Sequence, residues 1–537
     1  MIMKHHHLWA LMVTALLTAT GCSNEVSVQE QEEQTLENVT EFAPADSTSR
    51  SLTATRTTGI YSGTAIKFYW TAGDKLWIND PATTPALKQS VKDNINARIA
   101  ANGNGRTETA KFYFPGTYTA QTYMLRYTGN GNAQSDKVTI KASQTQQTPN
   151  DASHIGMDGD CGTAKATRNG GRYTFTLDHK AAYLTFTPYY SKDELDKAVM
   201  VKSIKVTANE NLAGTFDFSD NGLQTASVTS PSKSVTLALT GAFNIPKAID
   251  HNKNAAIMVV APGTYTNFTV EYTLADSQTG VTGTVSKTYS SVTLNAGKNM
   301  PVRFDLAMEN YGMDYYMWDA GKPYWDGYTG KLPVKDGEQA PYEASGTNRY
   351  FNGNKAQFHA VNACKVCPNA NEAALYAFRG SPHWDETTLW VKNKHLYKGG
   401  MWFLKLEYCD GGPYKSPVTT YPGKVDYRAN SYWATWNESA KTVGADKWET
   451  TPSQGRPADT SKYFYLPAMG YLDNDAGKQG VLKLDTKGYQ GAYWTSTSVV
   501  LDGWSLQAIC LHFSKEQVGL DADLRRWAYP IFTVADK

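Results

Sequence analysis

From Gly59 to Leu306, apolar and polar residues alternate in one short run after another. Phe68-Tyr69-Trp70 and Leu76-Trp77-Ile78 flank a turn at Gly73-Asp74. Tyr123, Leu125 and Tyr127 alternate with polar neighbours ahead of Gly129-Asn130-Gly131, and Val138 and Ile140 continue the pattern. A second block repeats it with Tyr173, Phe175 and Leu177, then Ala182, Leu184 and Phe186, Ile204 with Val206, Phe216 with Phe218, and Phe268, Val270, Tyr272 and Leu274. It closes on Val302, Phe304 and Leu306. Successive side chains of a strand point to opposite faces, so a period of two means half-buried strands. Ile257-Met258-Val259-Val260 is continuously apolar, as for a strand covered on both faces. Many short strands joined by Gly, Asn, Asp and Pro turns predict antiparallel β-sandwiches. No helix is expected between residues 59 and 140. One short helix is predicted over Ser191–Ala198, with Ser191 as its cap and Asp193-Glu194 in its first turn.

Bulk composition fits this reading and narrows the partners. The chain has 537 residues, 52 basic and 51 acidic, for a net charge of +1. No basic stripe is present, so nucleic acid is not an expected partner. Charged residues make up 19% and aromatics 12%, the balance of a β-rich exported protein.

Ahead of the strands, Lys4 precedes the apolar run Leu8–Leu17, which ends in Ala19-Thr20-Gly21-Cys22. The run is too short for a spanning helix and has the form of an export signal. Its ending resembles the lipobox of bacterial lipoproteins. That resemblance implies removal of residues 1–21 and acylation of Cys22, palmitate included. The mature chain would then be held to the outer membrane by lipid. Residues 22–56 are first acidic, then rich in Ser and Thr. They read as a leader that can add a strand to a sheet but cannot build a core.

The texture changes near Glu309. Eleven of the fourteen tryptophans and the cysteines Cys364, Cys367, Cys409 and Cys510 lie beyond it. Four cysteines allow three pairings, and in an oxidising compartment a structural disulfide among them is expected, or plain buried thiols. Cys364-x-x-Cys367 has no matching ligands at zinc spacing, and no metal site is expected. Cys161 reads as a lone buried thiol. Pro368–Gly380 reads as a helix with Gly380 at its C-terminal cap. His383-Trp384-Asp385-Glu386 follows it, on an expected loop, and is the candidate ligand-contact cluster. Asp473-Asn474-Asp475 reads as a solvated turn.

The motifs, taken in order, resemble two families. Trp70-Thr71-Ala72-Gly73-Asp74-Lys75, Tyr113-Phe114-Pro115, Gln144 and Gln147 followed by Asp158, Leu177-Asp178-His179 and Leu294-Asn295-Ala296-Gly297-Lys298-Asn299 together resemble fimbrillins. These are the two-domain pilins of type V-like pili. The segments Cys367–Arg379, Leu466–Tyr471, Tyr493–Thr497 and Arg525–Tyr529 resemble the formylglycine-generating-enzyme-like branch of the C-type lectin fold. The resemblance implies a mainly β chain: two tandem antiparallel β-sandwich domains of Greek-key, transthyretin-like form at residues 57–171 and 172–308, then an α+β C-type-lectin-like domain at 309–537. It further implies cleavage after Arg50 or Arg56, release of a leader strand, and β-strand addition by other pilin subunits.

No phosphate-cradling loop, H-E-x-x-H or nucleophile elbow is present. The enzymes of the formylglycine branch carry a reactive cysteine pair near the closing strands, where this chain has Cys510 alone. The expectation is therefore a non-catalytic pilus subunit without a cofactor, displayed on the cell outer membrane or in a fimbrium. It would be a tip adhesin contacting a host or bacterial surface ligand, with glycan a candidate class. The alternative is a surface glycan-binding lipoprotein of a nutrient-uptake system.

Overall fold

A computed structural model of the chain describes residues 38–45, 58–312, 314–338, 347–411, 426–434, 442–443, 446–447, 449–473, 481–483, 490–501 and 505–533. The protein is mainly β, with several sheets packed as layers.

The first sheet runs, in order, Leu87–Gln89, Trp77–Asn79, Thr122–Tyr127, Gly162–Asn169, Arg172–Phe175, Val39–Pro44, Phe112–Pro115 and Lys92–Asp93. Its two outermost strands are neighbours in the chain, joined only through Ser90 and Val91. The sheet must therefore roll, and it encloses Phe42, Trp70, Leu76, Phe112, Leu125 and Tyr127. Gly170-Gly171 turns a tight hairpin, and Asn169 lies opposite Arg172. The boundary expected at 171/172 thus falls inside one hairpin of this sheet.

The second unit is a two-layer sandwich. One layer orders Ser143–Gln146, Ser234–Leu239, Val199–Thr207, Gly263–Asp276 and Thr282–Leu294. The other orders Ala256–Val260, Ala182–Tyr189 and Asn299–Asp305. Their inner faces share one core with Ile66, Phe68, Val138 and Ile140, so segments from before residue 171 complete this unit. Not every pairing is antiparallel as expected. Val39–Pro44 runs parallel to Arg172–Phe175, Ser143–Gln146 to Ser234–Leu239, and Ala182–Tyr189 to Asn299–Asp305. These are pairings between segments far apart in sequence, where no tight turn dictates direction.

The outer edge of Ala256–Val260 is closed by side chains in place of a strand. Gln144 accepts from the Val259 N–H (3.0 Å) and donates to the Val259 carbonyl (2.7 Å). Gln146 accepts from the Ile257 N–H (2.8 Å) and donates to the Ala255 carbonyl (3.0 Å). A primary amide presents one acceptor and donors in the same plane, so each glutamine imitates a neighbouring peptide group. Alternation selects Gln144 with Gln146; of the two glutamines singled out from the sequence, Gln144 takes part and Gln147 is exposed.

Two local expectations fail for identifiable reasons. Ser191–Ala198 forms turns, not a helix. The Ser191 hydroxyl bonds Asp305 instead of capping, and Asp196 accepts from the Ala198 N–H in a local turn. Conversely, Ile95–Asn102 is a helix in a region read as all strand. Ile95 and Ile99 lie one turn apart on its inner side, and Gly103 ends it in the left-handed region at φ 68°.

The C-terminal unit surrounds the helix Ala370–Arg379, which starts with a capping box between Asn369 and Glu372. Gly380 follows because a Cβ there would lie 2.3 Å from the Tyr376 carbonyl oxygen. Around the helix stand the hairpins His383–Lys392 with His395–Leu404 and Gln490–Leu501 with Ser505–Ser514. The closing strand Ala528–Pro530 pairs with Tyr315–Met317, and Tyr529 stacks on Trp494 at 4.2 Å. Arg525 is fully buried. Its guanidinium donates to the carbonyls of Asn352, Asn354, Gln357 and Gln507 and stacks over Trp318 at 4.5 Å.

This unit docks firmly on the second. Buried Asp276 accepts from the His395 Nδ1 (2.9 Å) and the Leu396 N–H (3.0 Å), and Leu389, Val391 and Leu396 join the core of the second unit. Burial opposes ionisation of Asp276, but the His395 contact and the backbone N–H groups of Gln278 and Leu396 hold its carboxyl below the usual range.

Replacing Gln144 and Gln146 together by leucine removes these partners from the Ile257 and Val259 N–H groups and from the Val259 carbonyl, while the Ala255 carbonyl keeps the Asn150 N–H at 2.8 Å. The expected cost is about 1–3 kcal/mol for each glutamine site, read as a lowered urea midpoint. An unchanged midpoint would mean that water or a backbone shift replaces the amides at no cost.

Candidate functional site

The segment Val39–Pro44 is the first described strand of the chain, and it occupies an interior position of the rolled sheet. It pairs with Arg172–Phe175 on one side (Phe42 opposite Tyr173) and with Phe112–Pro115 on the other (Thr40 opposite Phe114). The pairing is extended at both ends, where the Gly116 N–H donates to the Asn38 carbonyl (2.7 Å) and the Ala45 N–H to the Phe175 carbonyl (2.9 Å). The Thr40 hydroxyl adds a bond to the Gly116 carbonyl (2.8 Å). Phe42 is the anchor. It is fully buried, stacks on Tyr173 at 4.5 Å, and meets the rings of Phe114 and Tyr118 edge-on at 5.1 and 5.8 Å. Aromatic pairs in such geometry contribute beyond their area alone. Glu41 faces Lys111 at 3.4 Å and accepts from the Tyr113 hydroxyl at 3.3 Å.

Covalently, this strand is peripheral although structurally it is central. The only described chain that follows it resumes at Thr58, whereas its neighbours begin at Phe112 and Arg172. Breaking the chain between residues 45 and 58 would leave the strand held by hydrogen bonds and by Phe42. Arg50 and Arg56 fall in that interval. They and Cys22 lie outside the described residues.

The cluster expected on a loop lies on a strand. His383 begins His383–Lys392, Trp384 and Asp385 are buried, and only Glu386 projects fully into solvent, where it meets Lys515 at 2.9 Å. Asp385 accepts from the N–H and hydroxyl groups of Thr387 and Thr388 and from the Trp402 indole (3.1 Å). It holds together the bulge where His383–Lys392 slips register against His395–Leu404. Burial works against its charge, yet the two threonines and Trp402 pull its carboxyl down to about 2.

Cys161, Cys364, Cys367, Cys409 and Cys510 are all buried free thiols. Of the open alternatives for the last four, the structure holds thiols. Cys364 and Cys367 share the cluster that contains Cys510, Trp318 and Trp494. The Cys364 sulfur accepts from the Asp319 N–H at 3.1 Å, and burial pushes its thiol well above the usual value. Cys510 donates to Asp523 at 3.0 Å. No group of three or more His, Cys, Asp or Glu side chains suited to a metal ion occurs among the described residues. No described helix is long and apolar enough to cross a membrane.

A cavity of about 440 Å³ opens between the linker Tyr311–Tyr316, the strand Tyr463–Pro467 and the tail Pro530–Thr533. Tyr311, Phe464, Tyr465 and Phe532 supply aromatic walls, and Asp314 and Lys405 are the charged residues on its lining. Burial and the Asp314 charge raise the Tyr316 hydroxyl above its usual value. The Tyr465 hydroxyl is buried with no hydrogen-bond partner among the described residues. Sequence reasoning missed this site because its walls come from segments as far apart as Tyr311 and Thr533. The concentration of tyrosine and phenylalanine in Tyr463-Phe464-Tyr465 was its one visible trace.

No protein-family model matches the chain, and no curated protein matches it. Among solved structures, it is similar in part to a "putative cell adhesion protein" of Bacteroides uniformis. That match has 16% identity and a TM-score of 0.29, over 50% of this chain and 93% of the other. A protein of the same description from Bacteroides ovatus matches at 14% identity and TM-score 0.28, over 45% of this chain and 87% of the other. A fimbrial protein of Bacteroides ovatus matches at 11% identity and TM-score 0.23, over 86% and 94%. At these TM-scores the likenesses fix no activity for this chain.

For Asp385, the depressed carboxyl stabilises the folded state above the ordinary carboxylate range, and that contribution fades as pH falls through about 2. Asp385→Asn is expected to lower stability by about 1–3 kcal/mol near neutrality. The difference from wild type should close between about pH 4 and pH 2 in acid-unfolding curves. A gap that stays constant down to pH 2 would contradict the assignment of the charge to this hydrogen-bonded turn.

Proposed function

We propose that this chain is a non-catalytic surface subunit of the fimbrillin type. It is lipidated at Cys22 and joins a fibre after its leader strand is exchanged for a strand of another subunit. The observation that carries the reading is the position of Val39–Pro44. A strand inside a sheet, upstream of two arginines and joined to the later described chain through residues 46–57, is separated from that chain by one cut in this interval. Its departure bares the N–H and C=O groups of Arg172–Phe175 and Phe112–Pro115 and empties the Phe42 pocket. Such a slot takes an extended segment by β-augmentation, with an apolar side chain to fill the pocket.

The tip position rests on the other end. Ala528–Pro530 is paired to Tyr315–Met317 and packed under Trp494, so this strand is engaged within its own unit. The C-terminal unit, fixed to the second by Asp276 and His395, is left to present a ligand surface away from the slot. The partners on this reading are other pilin subunits, the outer membrane through the acyl chains, and a surface ligand.

N-terminal sequencing of the surface form tests the reading. The expected mature chain begins at Ser51 or Thr57, after Arg50 or Arg56, and is recovered in high-mass fibres. A chain that begins only at Cys22 and never enters fibres would contradict it. Phe42→Ala removes the anchor at an expected cost of about 3–5 kcal/mol to the docked strand. The strand should be lost faster after cleavage, as followed by its release in size-exclusion chromatography.

A further inference from the structure

We infer that the cavity between Tyr311–Tyr316, Tyr463–Pro467 and Pro530–Thr533 binds a neutral saccharide of one or two rings. This rests on the reading of the C-terminal unit as the ligand-presenting part of the molecule, and it adds the chemical class. The volume, about 440 Å³, lies within the range of small-molecule sites and admits a ligand of that size.

The lining decides the class. Tyr311, Phe464, Tyr465 and Phe532 line the cavity, with Phe464 and Phe532 also packed against each other and against Tyr376. The faces of such rings carry the negative side of the aromatic quadrupole and attract the weakly positive C–H groups of a sugar ring. Asp314 and Lys405 sit on the same lining with opposite charge. An anionic ligand would gain from Lys405 and lose to Asp314, and a cationic ligand the reverse. A wholly apolar ligand would strip water from both charges and return no hydrogen bond, at a cost of several kcal/mol. A neutral polyol meets all three conditions: its hydroxyls donate to the Asp314 carboxylate, accept from the Lys405 ammonium, and leave its C–H faces for the rings.

The site is unlike the cluster at His383, where Trp384 and Asp385 are already consumed by internal packing and hydrogen bonds. It is also remote in sequence from the leader strand, and the two sites share no residue.

The test uses the full soluble chain without residues 1–22. The probes are glucose, galactose, mannose and their neutral disaccharides, followed by saturation-transfer NMR and titration calorimetry. N-acetylneuraminic acid, glucosamine and benzyl alcohol serve as anionic, cationic and apolar controls. At least one neutral sugar is expected to bind, and the controls at least tenfold more weakly. Asp314→Ala, at an exposed position, and Phe532→Ala should each weaken binding tenfold or more, with the unfolding midpoint of Asp314→Ala unchanged. Absence of neutral-sugar binding overturns the proposal. So does binding that both variants retain in full, or a preference for any of the three controls. Fibre incorporation of Asp314→Ala separates the two readings: incorporation without any sugar binding by wild type removes the saccharide site and leaves the assembly reading standing.

Discussion

The architecture depends on one insertion. Val39–Pro44 lies between two strands that the rest of the chain supplies from residues 112–115 and 172–175, and Phe42 closes the aromatic core of the rolled sheet. Without it, the sheet would have two interior edges and a void lined by Tyr173, Phe114 and Tyr118. An open edge is a template for another strand, and a void of aromatic size is costly. The two effects act in the same direction. On the proposed reading, the sheet is stable when filled and receptive when empty, and a strand of another subunit takes the leader's place.

The remaining edges and joints are guarded with side chains. Gln144 and Gln146 occupy the hydrogen-bonding edge of Ala256–Val260, where a foreign strand would otherwise add. Arg126 reaches from the first sheet to Asp220 at 2.6 Å and to the Phe218 carbonyl at 3.0 Å, bracing the first unit against the second. Buried His179 contacts Asp160 at 2.8 Å, and the Tyr183 hydroxyl donates to the same carboxylate oxygen. Asp276 with His395 repeats the device at the next joint. These contacts brace the units against one another.

Much of this was legible in the sequence, and the losses have physical causes. Period-two alternation located strands such as Thr122–Tyr127, Ala182–Tyr189 and Gly263–Asp276 because half-burial acts residue by residue, but Gly162–Asn169, Ser234–Leu239 and Thr282–Leu294 were not singled out. The alternation carried no information on the direction of pairing between distant segments, so the parallel pairs of the first two units were unforeseen. The leader was read as able to add a strand, and Phe42 is the residue that lets it. The helix Ala370–Arg379 announced itself through the helical spacing of its apolar residues and through Gly380, both local signals; its capping box at Asn369 and Glu372 is a feature of the structure. Ile95–Asn102 is short and flanked by strands, and its only signs were the Ile95–Ile99 spacing and Gly103. Ser191–Ala198 had the signs of a helix, but Asp305, over a hundred residues away, took the capping hydroxyl. His383–Asp385 looked like a surface cluster because polar residues followed a helix cap. The register slip that buries Asp385 depends on the partner strand and is invisible in one dimension. The cavity was out of reach for the same reason, since no local pattern joins Asp314 to Lys405 or Phe532.

The central claim is that the leader strand must leave for the molecule to assemble. Glu41 and Tyr113 lie directly opposite each other in the ladder. Cysteines placed at both positions, Glu41→Cys with Tyr113→Cys, would lock the leader in its slot when oxidised. The direct measurement is fibre formation by this variant, in the same cells, with and without reductant. The account predicts subunits that stay out of fibres while the lock is closed and enter them once it is reduced. Normal incorporation with the lock demonstrably closed would contradict it.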